Sequence, residues 1–326
     1  EKKVLASTHQ VCCAPFNRRE QLPQPPKASF SLLDRAQPVF SFSAPRKREN
    51  GGGDFHLKSV TKKTPNLLDR KNSKAMELHK NSSARWALPD NIRGLTLISM
   101  IAYHACWDLV YIFGKDWDWY RSAGAYLWQQ SICWTFLLLS GFCWSLGRRP
   151  LRRGLEVSAG GALVTAATLL FMPENRVVFG VLTLLGASML LLIPLDGFLR
   201  KIPPQAGLAG AFGLFFLLRN VNGGFLGFEA WRPAALPEGL YSGLVSAFFG
   251  FPPADFFSTD YFSLLPWFFL FLAGYFLHKL FPSPLPAGGR PWPLLHTLGL
   301  YSLPIYLLHQ PVVYGVLFLL DWAGLL

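Results

Sequence analysis

The chain has 326 residues, 51% of them hydrophobic, and a formal net charge of +12 that is unevenly placed. Residues 1–84 hold 16 Lys and Arg against 7 Asp and Glu, a net of +9, and the remainder holds 15 against 12, a net of +3. The positive charge is therefore mostly a property of the leader, which together with the lack of an aromatic-rich basic module excludes nucleic acid as a partner, while long charge-free runs of Phe, Leu and Trp place the rest in the membrane class.

The leader mixes Pro, Ser, Lys and Arg without apolar periodicity, as in Q-L-P-Q-P-P-K and R-K-R-E-N-G-G-G. Residues 1–85 read as a disordered basic segment. The first residue is Glu1 and the first methionine is Met76. The expected natural start is Met76, with the leader as upstream sequence; a transit peptide is the competing reading. Residues 86–326 form the second unit, an expected all-α, polytopic membrane bundle.

The first expected span runs from Ile92 to Phe113, long enough to cross a bilayer. It carries Arg93, His104 and Asp108. Ionisable groups are costly in hydrocarbon unless they pair or line a cavity. Arg93 and His104 are eleven residues apart, which at roughly 100° per residue is about three turns, or about 16 Å along one face. Asp108 follows His104 by four residues, again on that face. With Asp90, Tyr103 and Tyr111 they make a polar stripe that should look into the bundle.

Further spans are expected at Trp128–Leu146, Leu155–Phe171, Val178–Leu195, Ala206–Leu218, Phe262–Leu280 and Leu294–Leu320. That makes about seven. Pro304 and Pro311 should kink the last. The Gly-broken apolar stretch from Leu236 to Phe251, ahead of Pro252 and Pro253, reads as an interfacial or re-entrant helix. Cys106, Cys133 and Cys143 lie in apolar spans, and without a C-x-x-C pair no zinc or other metal site is expected. The loop G-R-R-P-L-R-R-G after the second span, with Arg200 and Lys201 after the fourth, orients the bundle. By the positive-inside rule the N-terminus is cytoplasmic and the C-terminus outside, in a plasma or inner membrane.

Four stretches carry a resemblance. They are I-R-G-L-T-L-I-S-M-I-A-Y-H-A-C-W-D from Ile92, T-D-Y-F-S-L-L-P-W at Thr259–Trp267, F-L-A-G-Y at Phe271–Tyr275, and L-G-L-Y-S-L-P-I-Y-L-L-H-Q-P-V at Leu298–Val312. Together they resemble bacterial members of the heparan-α-glucosaminide N-acetyltransferase catalytic-domain family, over about residues 86–320. The Arg, ten residues, His spacing is similar to that of membrane O-acyltransferases that decorate bacterial sugars. The resemblance implies a multi-pass acyltransferase taking acetyl from cytoplasmic acetyl-CoA to an amino sugar or other glycan on the outer side. The animal lysosomal enzymes have a catalytic His in the loop after the first motif helix. Here that loop, Gly114–Leu127, contains no His, and His104 stands where those enzymes have Asn.

The candidate catalytic pair is His104, as proton acceptor or transient acetyl carrier, and Asp108, which would fix its tautomer. Arg93 is the candidate for binding CoA, because a guanidinium suits phosphate. Asp260, Tyr261 and His309 are candidates for holding the acceptor. Each has a plainer reading: a packing histidine, a snorkelling arginine, interfacial anchors. The Arg93/His104/Asp108 stripe would equally serve a proton-coupled transporter or channel, although no internal repeat is visible. Expected partners are the lipid bilayer, acetyl-CoA and the glycan or amino-sugar acceptor, with homo-oligomerisation open.

Overall fold

The structure is a computed structural model that describes residues 87–282 and 292–326. The basic leader and the expected domain boundary near residue 85 lie outside the described residues. What is described is mostly helical. The elements are α1 (Ala87–Tyr111), α2 (Ala123–Trp144), α3 (Pro150–Phe171), α4 (Val181–Leu199), α5 (Pro204–Leu217), β1 (Phe225–Phe228), β2 (Trp231–Ala235), α6 (Leu244–Phe249), α7 (Leu264–Leu280), α8 (Pro293–Leu300) and α9 (Ser302–Trp322).

Local chemistry sets several of these boundaries. Ser122 caps α2, its side-chain oxygen accepting from the Gly124 amide at 3.2 Å. Pro150, Pro204 and Pro293 open α3, α5 and α8, in the first turn where a missing N–H costs nothing.

The centre of the bundle is α7, which is apolar all round. Trp267, Leu270, Phe271 and Ala273 are fully buried, and Phe215 of α5, Leu192 of α4 and Leu137 of α2 pack on the same core. Close approach is built from facing glycines. A Cβ at Gly141 of α2 would strike the Phe271 carbonyl, and one at Gly274 of α7 would strike the Leu138 carbonyl. The same reciprocal device joins α1 to α8, where Gly94 faces the Leu295 carbonyl and Gly299 faces the Asp90 carbonyl. Small residues allow such backbone contact in membrane bundles, where packing replaces the hydrophobic effect between helices.

Contacts fix the helix directions. α1 and α2 run antiparallel, with Trp128 bonded to Ser99 and Arg93 beside Cys143. α3 and α4 pair Gly154 with Leu190 and Gly161 with Thr183, also antiparallel. α9 runs parallel to α1: His309 meets His104, Gln310 meets Asp108, and Tyr314 meets Phe113. One end of the bundle thereby collects Arg93, Arg148, Arg149, Arg152, Arg153, Arg200, Lys201 and Lys279 against Asp90, Glu156 and Asp196. The other end is acidic on balance, with Lys115, Arg121, Arg176, Arg219 and Arg232 outnumbered by carboxylates.

Among the described residues three helices, α3, α4 and α9, are long and apolar enough to cross a membrane. Leu170, Phe171, Leu319 and Trp322 stand out from α3 and α9 into the surroundings, as lipid-facing side chains do. The expected seven spans are not all met on these grounds. α1 and α2 have the length, at 25 and 22 residues, but Asp90, Arg93 and Asp108 dilute the first and Gln129 and Gln130 the second. α7 has 17 residues and α5 only 14.

Two further expectations need correcting. The last span is not one kinked helix: the backbone turns at Tyr301 (φ −98°, ψ 25°) and separates α8 from α9. Pro304 then sits in the first turn of α9, where it is tolerated, and only Pro311 lies inside a helix. The fold is also not purely helical. β1 and β2 form an antiparallel hairpin, with Gly227 (φ 111°) lying where a Cβ would meet the Trp231 carbonyl. Of the stretch Leu236–Phe251, only the short α6 is a regular α-helix.

Candidate functional site

The seam between α1 and α9 brings together residues more than 200 positions apart in the sequence. His104 projects from α1 towards His309 of α9, with ring centroids 4.9 Å apart and planes inclined at 61°. The ring of Tyr103 lies 6.1 Å from that of His104, edge-on. His104 is half-buried, and among the described residues no hydrogen bond reaches its imidazole. By surface area it is the more exposed member of the pair.

His309 is buried, and its Nδ1 lies 2.5 Å from the Tyr306 carbonyl oxygen. A carbonyl only accepts, so Nδ1 carries the proton and, in the neutral ring, Nε2 keeps its lone pair.

Asp108 is completely buried, one turn beyond His104. The expected Asp108–His104 bond is not formed. Asp108 Oδ1 instead accepts from Gln310 Nε2 at 2.7 Å. The i,i+4 spacing puts both side chains on one face, but the neighbouring helix supplies the carboxylate with a better-placed donor. Gln310 was not among the residues singled out from the sequence. No local pattern reveals it, because its partner comes from the far end of the chain.

Arg93 lies about three turns below His104, at about 16 Å along α1. Its Nη1 donates to Asp90 Oδ1 at 3.0 Å, and His296 Nδ1 of α8 stands 3.7 Å from Asp90 Oδ2. Arg93 thus belongs to a second polar cluster at the basic end, separate from the imidazole pair.

Asp260 and Tyr261 have other work in this structure. Asp260 Oδ2 accepts from the Val181 amide at 3.3 Å, at the N-terminus of α4, where a carboxylate satisfies an otherwise orphaned donor. Thr259 Oγ1 donates towards the carbonyls of Asn175 and Arg176 at 2.9 and 3.0 Å. The buried Tyr261 hydroxyl donates to the Ala247 carbonyl and accepts from Asn222 Nδ2. The T-D-Y stretch therefore staples the entry of α4 to the loop ahead of α7. In that loop Tyr241 donates to the Val221 carbonyl at 2.6 Å, and burial pushes its phenol pKa up, so it stays a donor.

A separate cavity of about 560 Å³ opens across α2. Tyr126, Gln130, Trp134, Arg219, Glu229 and Arg232 line it, with Tyr126 donating to Glu229 at 2.8 Å and accepting from Arg219 at 3.2 Å. Glu229 sits at the hairpin turn with a positive φ of 49°. Among the described residues no group of His, Cys, Asp and Glu is arranged to hold a metal ion.

A helical membrane protein with two imidazoles in contact across a helix seam, and a buried carboxylate one turn further along, has groups suited to proton and acyl-group transfer. The chain matches the family described as heparan-alpha-glucosaminide N-acetyltransferase, catalytic, over residues 85–311, and it belongs to that family. Family membership makes it a membrane acetyltransferase. No curated protein and no solved structure matches the chain.

Proposed function

We propose that the protein carries an acetyl group from acetyl-CoA, presented at the basic end of the bundle, to an amino sugar or other glycan acceptor arriving from the opposite end. The observation that carries this reading is the His104–His309 pair in the α1–α9 seam of a chain belonging to this family. The acceptor nitrogen attacks the thioester carbonyl, the C–S bond breaks, and the CoA thiolate leaves. His104, half-buried and without a hydrogen-bond partner among the described residues, takes a proton from the nitrogen as the amide forms.

The basic end suits the donor. Arg93 offers a guanidinium at the foot of the polar stripe, and Arg148, Arg149, Arg152 and Arg153 add positive charge that attracts CoA phosphates. In this reading that end faces the cytoplasm, as the positive-inside rule requires.

The test is His104→Ala in the full chain, with acetyl transfer and acetyl-CoA binding measured side by side. Loss of a general base lowers the rate by about 10²–10⁴-fold. Acetyl-CoA affinity should hardly change, because His104 lies about 16 Å from Arg93 along the helix. A variant that transfers acetyl at the parent rate would remove His104 from the chemistry.

A further inference from the structure

The cavity of about 560 Å³ beside α2 contains neither imidazole of the α1–α9 seam. Ala123, Tyr126, Leu127, Gln130 and Trp134 recur on one face of α2 and form one wall. From Ala123 to Trp134 that face runs about 16 Å along the helix, starting at the acidic end of the bundle. Arg219, just beyond α5, and Phe228, Glu229 and Arg232 of the hairpin form the opposite wall.

The two ends of the cavity differ in chemistry. The deep end is apolar. Trp134 lies against Phe215 and Phe216, at centroid distances of 5.0 and 6.1 Å, and Phe216 lies 5.0 Å from Phe228. The Trp134 indole N–H donates to Gln130 Oε1 at 3.3 Å, so these two satisfy each other. The side of the cavity is open where the bilayer would lie: Leu127 is 65% exposed and Phe216 37%, and exposed apolar side chains of a membrane bundle face acyl chains.

The shallow end is charged, with two guanidiniums against one carboxylate. Arg219 and Glu229 are joined through the Tyr126 hydroxyl, at 3.2 and 2.8 Å. Arg219 is buried and lies over the Trp267 ring at 5.0 Å, which fixes it. Arg232 is the additional cation. Its Nε donates to the Glu229 carbonyl at 3.4 Å and its guanidinium lies over the Phe225 ring at 5.1 Å, and among the described residues no carboxylate pairs with it. Its two Nη groups form a fork suited to phosphate oxygens.

We propose that this cavity binds a phospholipid carrying one net negative charge, from the leaflet at the acidic end of the bundle. The phosphodiester lies on Arg232, headgroup hydroxyls donate to Glu229, and the start of an acyl chain lies along Leu127 and Trp134. The inference is independent of the acetyl-transfer reading. One negative charge balances the excess guanidinium, as a site bordered by hydrocarbon requires. A soluble phosphodiester satisfies the charged end alone and leaves the apolar end and the lateral opening empty. A ligand that binds only the folded chain also stabilises it.

The experiment uses the purified, delipidated full chain in detergent and follows its melting temperature and native mass during titration. Phosphatidylglycerol should bind about tenfold more tightly than phosphatidylcholine with the same acyl chains, the scale of one charge-assisted contact. Glycerophosphoglycerol, the same headgroup without chains, should not bind. Arg232→Glu should abolish the preference. Arg121→Gln removes a cation of the same end that does not line the cavity, and should keep it. Ala123→Trp fills the cavity and should lower phosphatidylglycerol affinity without changing the melting temperature of the lipid-free protein. Equal binding of the two lipids would overturn the site, as would a preference that survives Arg232→Glu. Glycerophosphoglycerol binding as tightly as phosphatidylglycerol would overturn the lipid assignment in favour of a soluble phosphodiester.

Discussion

Tyr261 anchors the loop ahead of α7. It is 3% exposed, and its hydroxyl links the Ala247 carbonyl to Asn222, which itself reaches the Gly250 carbonyl and Ser263. Tyr261→Phe removes the donor to a buried carbonyl, so stability should fall by about 1–3 kcal/mol, seen as a lower melting temperature, with the acceptor KM unchanged. A raised KM at parent stability would return Tyr261 to the acceptor site. Arg93 should behave in the opposite way. Arg93→Ala removes a charge-assisted contact of about 1.5–3 kcal/mol, so acetyl-CoA affinity should drop by about tenfold or more while the acceptor KM holds. Arg93→Lys should restore only part of it, since an ammonium keeps the charge but not the planar fork. An unchanged acetyl-CoA affinity in Arg93→Ala would confine Arg93 to its pairing with Asp90. The polar stripe was legible in the sequence because the helical period alone puts Arg93, His104 and Asp108 on one face. The partner of Asp108 was not, because it depends on where α9 docks. Asp260 and Tyr261 also answer the demand of a helix N-terminus and a long loop for hydrogen-bond partners, a role visible only once the loop is docked on α4.

Among the elements, the α2–α7 contact is the most exacting. Gly141 and Gly274 each face a backbone carbonyl of the other helix, and neither can yield. Gly274→Leu forces the helices apart around the fully buried Trp267 and Phe271, and overpacking of this kind costs about 1–3 kcal/mol or more. The expected readout is a lower melting temperature in detergent. The matching change at Gly213, where a Cβ meets nothing, should be neutral, and equal destabilisation of the two would contradict the packing account. Continuous apolar runs announced most of the helices from the sequence, with ends shifted by a few residues where caps and prolines act. The division of α8 from α9 was not legible. Nothing in L-G-L-Y-S-L-P demands a turn; docking of α8 against Asp90 and Leu295 against Gly94 decides it. The hairpin was missed because its strands are only four and five residues long and one contains proline.

For the whole molecule the charge asymmetry carries the topology. Among the described residues the end holding the start of α1 has eight basic and three acidic side chains, whereas the opposite end has five basic and eight acidic. Arginine-rich short connections such as the one between α2 and α3 resist translocation, while the long connection between α5 and α7 is of the kind that crosses more readily. The helix directions are consistent with this division, since α9 runs parallel to α1 and ends at the acidic end. We therefore expect seven crossings by α1, α2, α3, α4, α5, α7 and α9, with the shorter α5 and α7 accommodated inside the bundle by local thinning of the bilayer. A reporter that works only outside the cytoplasm, fused after Leu326, should be active. One fused between Arg149 and Arg153 should be silent. Replacing Arg148, Arg149, Arg152 and Arg153 together should weaken or invert that pattern, because these four supply half of the basic residues at their end. A cytoplasmic signal from the Leu326 fusion would put α9 in the reverse orientation, place the acidic end of the bundle in the cytoplasm and overturn the proposed sidedness of donor and acceptor.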